Sequence, residues 1–408
     1  MPVAVSSDRN QDPHAKRRKV LFVSKAYYPT VGGMENHLRM MGAVVADRYE
    51  VEIVARDFGG RDSPMRRLAN RVLKRAGYDS RSRQMILARG RRQAMDGKVR
   101  VRSAAPTMRQ RLSMLLTRGR SATGIYNDMF ARLLRPGDIV HSIGIGFLGE
   151  AAAAGARAQH AGFVITPYLH HFDQQTPWFV SADRVFALLD TDADLLVRHG
   201  IPRDRIRMLP VVPTAFPAGD PIRFRQQRAL GPGQIVLFVG RMVTHKGADV
   251  VAHAARLVWE SAPDVQFVFA GPPGNMPLDV LADAADPRLR YIGPISEAEK
   301  ADAMVACDLF CMPSSSEVLP TVFLEAWSCG KPVIGGPAYG LKELIEGNGA
   351  GIVVEQDPQR LAEGILSILR DRETARKMGE AGRRLVERRY SAEVLRAQLE
   401  QTYAELAE

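Results

Sequence analysis

The sequence predicts a two-domain α/β protein in which each domain is a doubly wound, mostly parallel sheet. Three observations carry this expectation. The chain has 408 residues, enough for two domains that each bury a core. A buried strand, a glycine turn and an amphipathic helix follow one another at residues 18–45. After a proline-rich stretch at 210–217, a second series of short apolar runs alternates with helical patterns.

Residues 1–17 are polar and lack the apolar core of a signal peptide, so a disordered tail is expected there. The run Arg18-Lys19-Val20-Leu21-Phe22-Val23-Ser24 reads as the buried first strand, and Met34, Leu38, Met41 and Val45 recur at helical spacing after Gly32-Gly33. Further strands are expected at 51–55, 138–142, 163–166, 184–188 and 205–209. In the second half they are expected at 234–239, 265–270, 289–292, 309–312, 332–335 and 351–354, with helices at 248–260, 297–304, 321–329, 358–369 and 392–406. The resulting domains are 18–212, with a basic insertion at 61–120, and 225–390. A linker at 213–224 joins them, and a terminal helix lies within 391–408.

Composition narrows the class. Hydrophobic residues make up 46% and charged residues 25%, as in ordinary globular proteins. The three cysteines, Cys307, Cys311 and Cys329, fit neither a zinc framework nor an even disulfide set and read as buried thiols in a reducing, cytoplasmic setting. No apolar run reaches the roughly 18 residues that span a bilayer. The net charge of +11 comes from one place: residues 61–120 hold 18 Lys or Arg against three acids, and the rest of the chain has 38 against 42.

Two stretches carry chemistry. Val239-Gly240-Arg241 with Thr244-His245-Lys246-Gly247 puts two cations beside a glycine at a strand's carboxyl end, where open α/β sheets bind ligands. In Glu317-Val318-Leu319-Pro320-Thr321-Val322-Phe323-Leu324-Glu325, two acids stand eight positions apart among apolar residues. Pro320 suits the first turn of a helix, so the amides of Thr321, Val322 and Phe323 would face an anion. A carboxylate beside such a phosphate site can accept from two neighbouring hydroxyls, which points to sugar plus phosphate.

This E-x7-E segment resembles the signature of retaining, nucleotide-sugar-dependent glycosyltransferases of the GT-B fold, in particular family four. The resemblance spans about 18–390 outside the basic segment. It implies two Rossmann-like domains facing across a cleft, with the last helix crossing back onto the first domain. It implies that Glu325 holds the donor ribose and that Glu317 lies near the transferred sugar. Gly240, Arg241 and Lys246 would hold the diphosphate, together with Leu319, Pro320, Thr321 and Val322 at the helix start. Tyr28-Pro29-x2-Gly32-Gly33-x-Glu35 resembles the family's glycine loop, so Gly32 and Gly33 would abut the donor, while Glu35 and His37 also read as plain helix surface. Thr166-Pro167-Tyr168-Leu169-His170-His171 resembles an element whose histidine faces the transferred sugar; position selects His170, then His171. Tyr291-Ile292-Gly293-Pro294-Ile295-Ser296 resembles a base cradle that includes Ile295, and equally an ordinary Ser-capped helix start.

Two positions depart from the family pattern: Val318 replaces the usual glycine after the first acid, and Pro210-Val211-Val212-Pro213 replaces Pro-Asn-Gly-Val. No metal site is expected. Asp190-Thr191-Asp192 reads as a helix start, where acids favour the N-terminus. The implied activity is transfer of a sugar from a UDP- or GDP-linked donor to a hydroxyl acceptor, with no cofactor beyond the donor. An epimerase or hydrolase of nucleotide sugars, or a non-catalytic sugar-nucleotide-binding protein, are the other readings. The basic segment places Met65, Leu68, Val72 and Leu73 on one helical face and repeats the pattern at Met108, Leu112 and Leu115. Such helices lie on anionic membranes, pack on their own domain, or bind an anionic acceptor. Nucleic acid is not expected, because only Tyr78 supplies an aromatic there.

Overall fold

The computed structural model describes residues 17–27, 33–57, 64–78, 93–117, 121–168, 178–214, 218–282 and 286–406, together with Arg83, Ile86 and Leu87. The expected N-terminal tail falls outside them but for Arg17. The chain forms two units, one of residues 1–167, 181–185 and 399–408, the other of 168–180 and 186–398.

Among the described residues, eight strands form the first sheet: β1 (Lys19–Ala26), β2 (Glu50–Asp57), β3 (Gln93–Asp96), β4 (Val99–Ser103), β5 (Ile139–Ile143), β6 (Gly162–Thr166), β7 (Arg184–Ala187) and β8 (Ile206–Met208). Their order is β3-β4-β2-β1-β5-β6-β7-β8. The pairs β1–β2, β1–β5, β2–β4, β5–β6 and β6–β7 are parallel, and β3 runs antiparallel to β4. Its helices are α1 (Gly33–Val45), α2 (Pro64–Arg75), α3 (Met108–Leu116), α4 (Ala122–Leu133), α5 (Phe147–Ala158) and α6 (Asp190–Arg198). The second sheet is β11-β10-β9-β12-β13-β14, built from β9 (Ile235–Val239), β10 (Gln266–Ala270), β11 (Leu289–Tyr291), β12 (Leu309–Met312), β13 (Val333–Gly335) and β14 (Gly351–Val353). All its pairs are parallel. The longer helices of this part of the chain are α7 (Pro221–Gln227), α8 (Ala248–Ser261), α9 (Glu297–Ala306), α10 (Thr321–Ser328), α11 (Pro358–Arg370), α12 (Arg372–Arg389) and α13 (Ala392–Glu405), with short helices at Asp279–Ala282 and Leu341–Ile345.

The central strands read as unbroken apolar runs because both faces of a parallel sheet are covered. Val20, Leu21, Phe22, Ile235 and Leu237 are fully buried. Gly155 has a packing reason: a Cβ there would sit 2.7 Å from Phe130 Cβ, so only glycine lets α5 close on α4.

The basic segment, read as an insertion, supplies β3 and β4 to the first sheet. Its two strands turn at Gly97 (φ 59°), a two-residue hairpin that the charge pattern obscured. Asp96 ties this edge down, accepting from the Tyr27 hydroxyl at 2.7 Å and from Arg39 at 2.7 and 3.0 Å. Buried Glu52 on β2 sits between Lys19 of β1, at 3.3 Å, and Arg102 of β4.

The end of α13 lies in the first unit. Its Tyr403 hydroxyl is 2.8 Å from His141 Nδ1, and His141 Nε2 is 2.8 Å from Thr166 Oγ1. Burial holds His141 down at about 3, far below the ordinary histidine value. Cys307 and Cys311 are buried as expected, and burial pushes the Cys307 thiol up to about 12. Cys329 departs from the expectation, being only half-buried.

Candidate functional site

The site residues of the second unit gather at the carboxyl ends of β9 and β12, which are hydrogen-bonded neighbours. Connections leave in opposite directions here, the topology in which open α/β sheets bind ligands outside the strand ends. Gly240 follows β9, and a Cβ on it would lie 3.3 Å from Lys246 Cδ, so glycine clears room for the lysine stem. Arg241 is exposed at the strand end. A single turn at Thr244–Lys246 closes on Gly247, whose φ of 73° is left-handed. That turn is stitched to the loop after β12: Ser315 N–H donates to His245 O at 2.9 Å. Gln356 Nε2 donates to His245 O and to Pro313 O at 3.0 and 2.7 Å.

Across this stitch, Lys246 Nζ meets Glu317 Oε1 at 2.6 Å. The Ser314 hydroxyl donates to the same oxygen at 3.1 Å. The sequence had assigned Lys246 to a diphosphate and Glu317 to a sugar. The fold pairs them directly.

Glu325 lies in α10 and is 2% exposed. Lys300 Nζ donates to its Oε1 at 3.0 Å and also reaches Glu297 at 2.9 Å. Oε2 is buried without a hydrogen-bond partner among the described residues. Burial pushes the Glu325 carboxyl up from the ordinary glutamate range, opposed by the charge and hydrogen bond of Lys300. Burial pulls Lys300 down, yet Glu325 and Glu297 outweigh it and leave the lysine raised.

The helix start differs in detail from expectation. Pro320 is the N-cap of α10, one position before the first turn. The Phe323 amide donates to Pro320 O at 3.0 Å, so it does not face outward; among the described residues Thr321 and Val322 carry the N–H groups that this turn does not use. Leu319 and Pro320 are buried behind them, and Val318 is half-buried.

Lys300 is the residue that sequence reasoning missed. A cation in the first turns of a helix opposes the macrodipole and calls for a partner. The Ser296 hydroxyl caps that helix, accepting from Glu299 N–H at 3.2 Å, while Glu299 accepts from Ser296 N–H at 2.9 Å. The capped-helix reading of 291–296 therefore stands, and Ile295 is half-buried beside it.

In the first unit, Gly33 opens α1 and is exposed, while Gly32 lies outside the described residues. His37, read as helix surface, is instead 2% exposed, because it falls on the α1 face that carries Leu38 and Met41 into the core. Glu35 is half-buried. His170 and His171 lie outside the described residues. In the second unit, Asp190 and Asp192 do open α6, with Asp192 Oδ2 accepting from Leu189 N–H at 3.0 Å.

Two Rossmann-like sheets, parallel but for β3, the second carrying the Lys246–Glu317 ion pair and an acid-bearing helix at its switch point, define a protein of GT-B architecture. Solved structures bear this out. The chain superposes on sucrose-phosphate synthase from Thermosynechococcus elongatus with a TM-score of 0.68 at 19% identity, covering 96% of this chain and 99% of that one. It superposes on HepE of Anabaena in complex with UDP and glucose at 0.68 and 17%, covering 95% and 100%. Residues 221–385 match the family described as glycosyl transferases group 1. Among curated relatives, the chain is 32% identical over 164 residues to a GDP-mannose-dependent monoacylated alpha-(1-6)-phosphatidylinositol monomannoside mannosyltransferase of Corynebacterium glutamicum, 38% of this chain and 43% of that one. It is 32% identical over 206 residues to a D-inositol 3-phosphate glycosyltransferase of Acidothermus cellulolyticus, 46% of each chain. The chain thus spans about half the length of the curated relatives it matches.

Proposed function

We propose that this chain is a retaining family-four glycosyltransferase that moves a sugar from a nucleoside diphosphate donor, UDP- or GDP-linked, to a hydroxyl acceptor. The observation that carries the reading is Glu325: a buried carboxylate with one oxygen held by Lys300 and the other, among the described residues, left without a hydrogen bond of good geometry, although the Thr214 hydroxyl lies near enough to lower the carboxyl's pKa. An unsatisfied buried acceptor costs about 1–3 kcal/mol, and a ribose hydroxyl would satisfy it. The relative named as GDP-mannose-dependent and the neighbour solved with UDP support a nucleotide-sugar donor.

In this reading Arg241, Lys246 and the Thr321 and Val322 amides offset the charge that develops on the leaving diphosphate. Glu317 lies beside the transferred sugar, Gly32 and Gly33 abut the donor, and His170 hydrogen-bonds the reacting sugar. The diphosphate takes the acceptor's proton on the face it leaves, which preserves configuration. No cofactor beyond the donor enters.

A thermal-stabilisation screen of nucleotide sugars, followed by product analysis with and without an acceptor pool, tests this. Product from donor alone marks an epimerase or hydrolase. Binding with no turnover marks a non-catalytic protein.

A peripheral contact with anionic membrane belongs to the same proposal. Leu68 and Val72 on α2 and Met108, Leu112, Leu115 and Leu116 on α3 are exposed beside Arg71, Lys74, Arg75 and Arg109. The Tyr78 hydroxyl, three residues past the end of α2, donates to Leu115 O on α3 at 2.8 Å. Among the described residues no helix is long and apolar enough to cross a membrane. A cytoplasmic setting fits the buried thiols.

A further inference from the structure

The first sheet has its own crevice. In the order β2-β1-β5, the chain leaves β1 toward β2 on one side and returns at β5 on the other, a topological switch point. A cavity of about 190 Å³ lies there, at the carboxyl ends of all three strands. Its wall between β5 and α5 is Gly144-Ile145-Gly146-Phe147-Leu148-Gly149, a G-x-G-x-x-G run between a strand and a helix. Such glycines let an anion reach the backbone at a helix N-terminus.

The local geometry fits that use. Gly144 has a φ of 77°, its amide donates to Thr166 O at 2.7 Å, and Ser142 Oγ donates back to Gly144 O at 3.2 Å, fixing the loop. Gly146 caps α5 with no side chain, so the first-turn amides of this 12-residue helix face the cavity's glycine wall. One further residue that lines the cavity points to a ligand independently of the helix: Ser24 is 2% exposed, and its hydroxyl has no hydrogen-bond partner among the described residues. Arg56, at the end of β2, also lines the cavity, is only 7% exposed and already engages the protein, so a phosphate would share it. Lys25 adds an exposed cation at the rim, and the nearest acid on the helix, Glu150, is half-buried in its first turn.

We propose that this crevice binds a phosphate group through Ser24, Arg56 and the α5 amides. Resting on the transferase reading above, the phosphate is carried by the acceptor, as a monoester or a diester. A dinucleotide is a poor fit, because the cavity is below the roughly 300 Å³ of ordinary ligand pockets. The acid that such sites place about 20 residues on, at the next strand's end, is here Thr166-Pro167.

The test is calorimetric titration of the full chain, held saturated with UDP or GDP, by inorganic phosphate, glycerol 3-phosphate and dimethyl phosphate. Saturable binding is expected, weakened at least tenfold in Arg56→Gln, Ser24→Ala and Gly146→Ala. Gly146→Ala keeps the test sound if Arg56→Gln fails to fold: its φ of 172° is extended, and a Cβ there meets nothing within 4 Å. Preference for the monoester indicates a free phosphorylated acceptor; preference for the diester indicates a lipid headgroup. No saturable binding, or equal binding in wild type and all three variants, overturns the proposal. Titration with UDP and GDP alone reports separately on the donor reading, which can fail while this site stands.

Discussion

Lys246 Nζ and Glu317 Oε1 meet at 2.6 Å, joining the loops after two adjacent strands of the second sheet. The cation assigned to the diphosphate is thus held by the acid assigned to the sugar. On the proposed assignment, a diphosphate would share or break this pair. Lys246→Ala should therefore weaken nucleoside diphosphate binding by roughly 10–100-fold, the worth of one charge-assisted hydrogen bond. Glu317→Gln should leave that affinity unchanged or tighter while transfer falls. Calorimetry and turnover on the same samples check both, and equal loss of binding in the two variants would break the assignment.

Glu325 titrates above the ordinary glutamate range because it is buried. Protonation removes its capacity to accept from two hydroxyls, so nucleoside diphosphate affinity should fall on acidification before an ordinary glutamate would respond. In Glu325→Gln the affinity should be weaker and flat with pH. A parallel decline in both proteins would place the titrating group elsewhere.

Lys300→Met strands the Glu325 carboxylate. Breaking a buried pair costs on the order of 3 kcal/mol. The folded carboxyl is then raised further above its unfolded value, so the folded state binds the extra proton and the variant gains stability as pH falls from 7 toward 5. Chemical denaturation of the variant at the two pH values would show it; a stability independent of pH would not be compatible.

His141 works in the opposite sense. Its folded value of about 3 lies below an unfolded value near 6.5. The unfolded chain takes the proton first, so stability is full above about 6.5 and is lost as pH falls, by roughly 2–3 kcal/mol at pH 4.5. His141→Phe should be less stable at neutral pH, since it orphans the Tyr403 and Thr166 hydroxyls, yet lose less on acidification. Melting curves across pH 4.5–7.5 compare the two slopes.

For the exposed face of α2 and α3, co-sedimentation with vesicles should rise with anionic lipid content and fall with salt. Leu68→Ser with Leu112→Ser should reduce it several-fold without changing nucleoside diphosphate affinity. Binding that ignores anionic lipid would exclude this surface.

Local pattern made the strands and helices of both sheets legible. Apolar runs and glycine turns reproduce β1, β5, β9 and β12 to within about two residues. The same pattern placed Glu317 in a loop and Glu325 in a helix. It hid the β3–β4 hairpin, where arginines outside the sheet interior masked the alternation, and it misplaced His37 on the surface.

The sequence by itself determined the fold class and brought Glu317, Glu325, Arg241 and Lys246 to notice, because periodicity and short motifs are properties of neighbouring positions. Only the tertiary structure decided their partners. Lys300 reaches Glu325 across 25 residues and Lys246 reaches Glu317 across 71, while Ser24, Arg56 and the Gly144–Gly149 loop meet from three strands. Charge pairs and crevices form between elements that parallel pairing brings together, and that pairing leaves no local trace in the residues it joins.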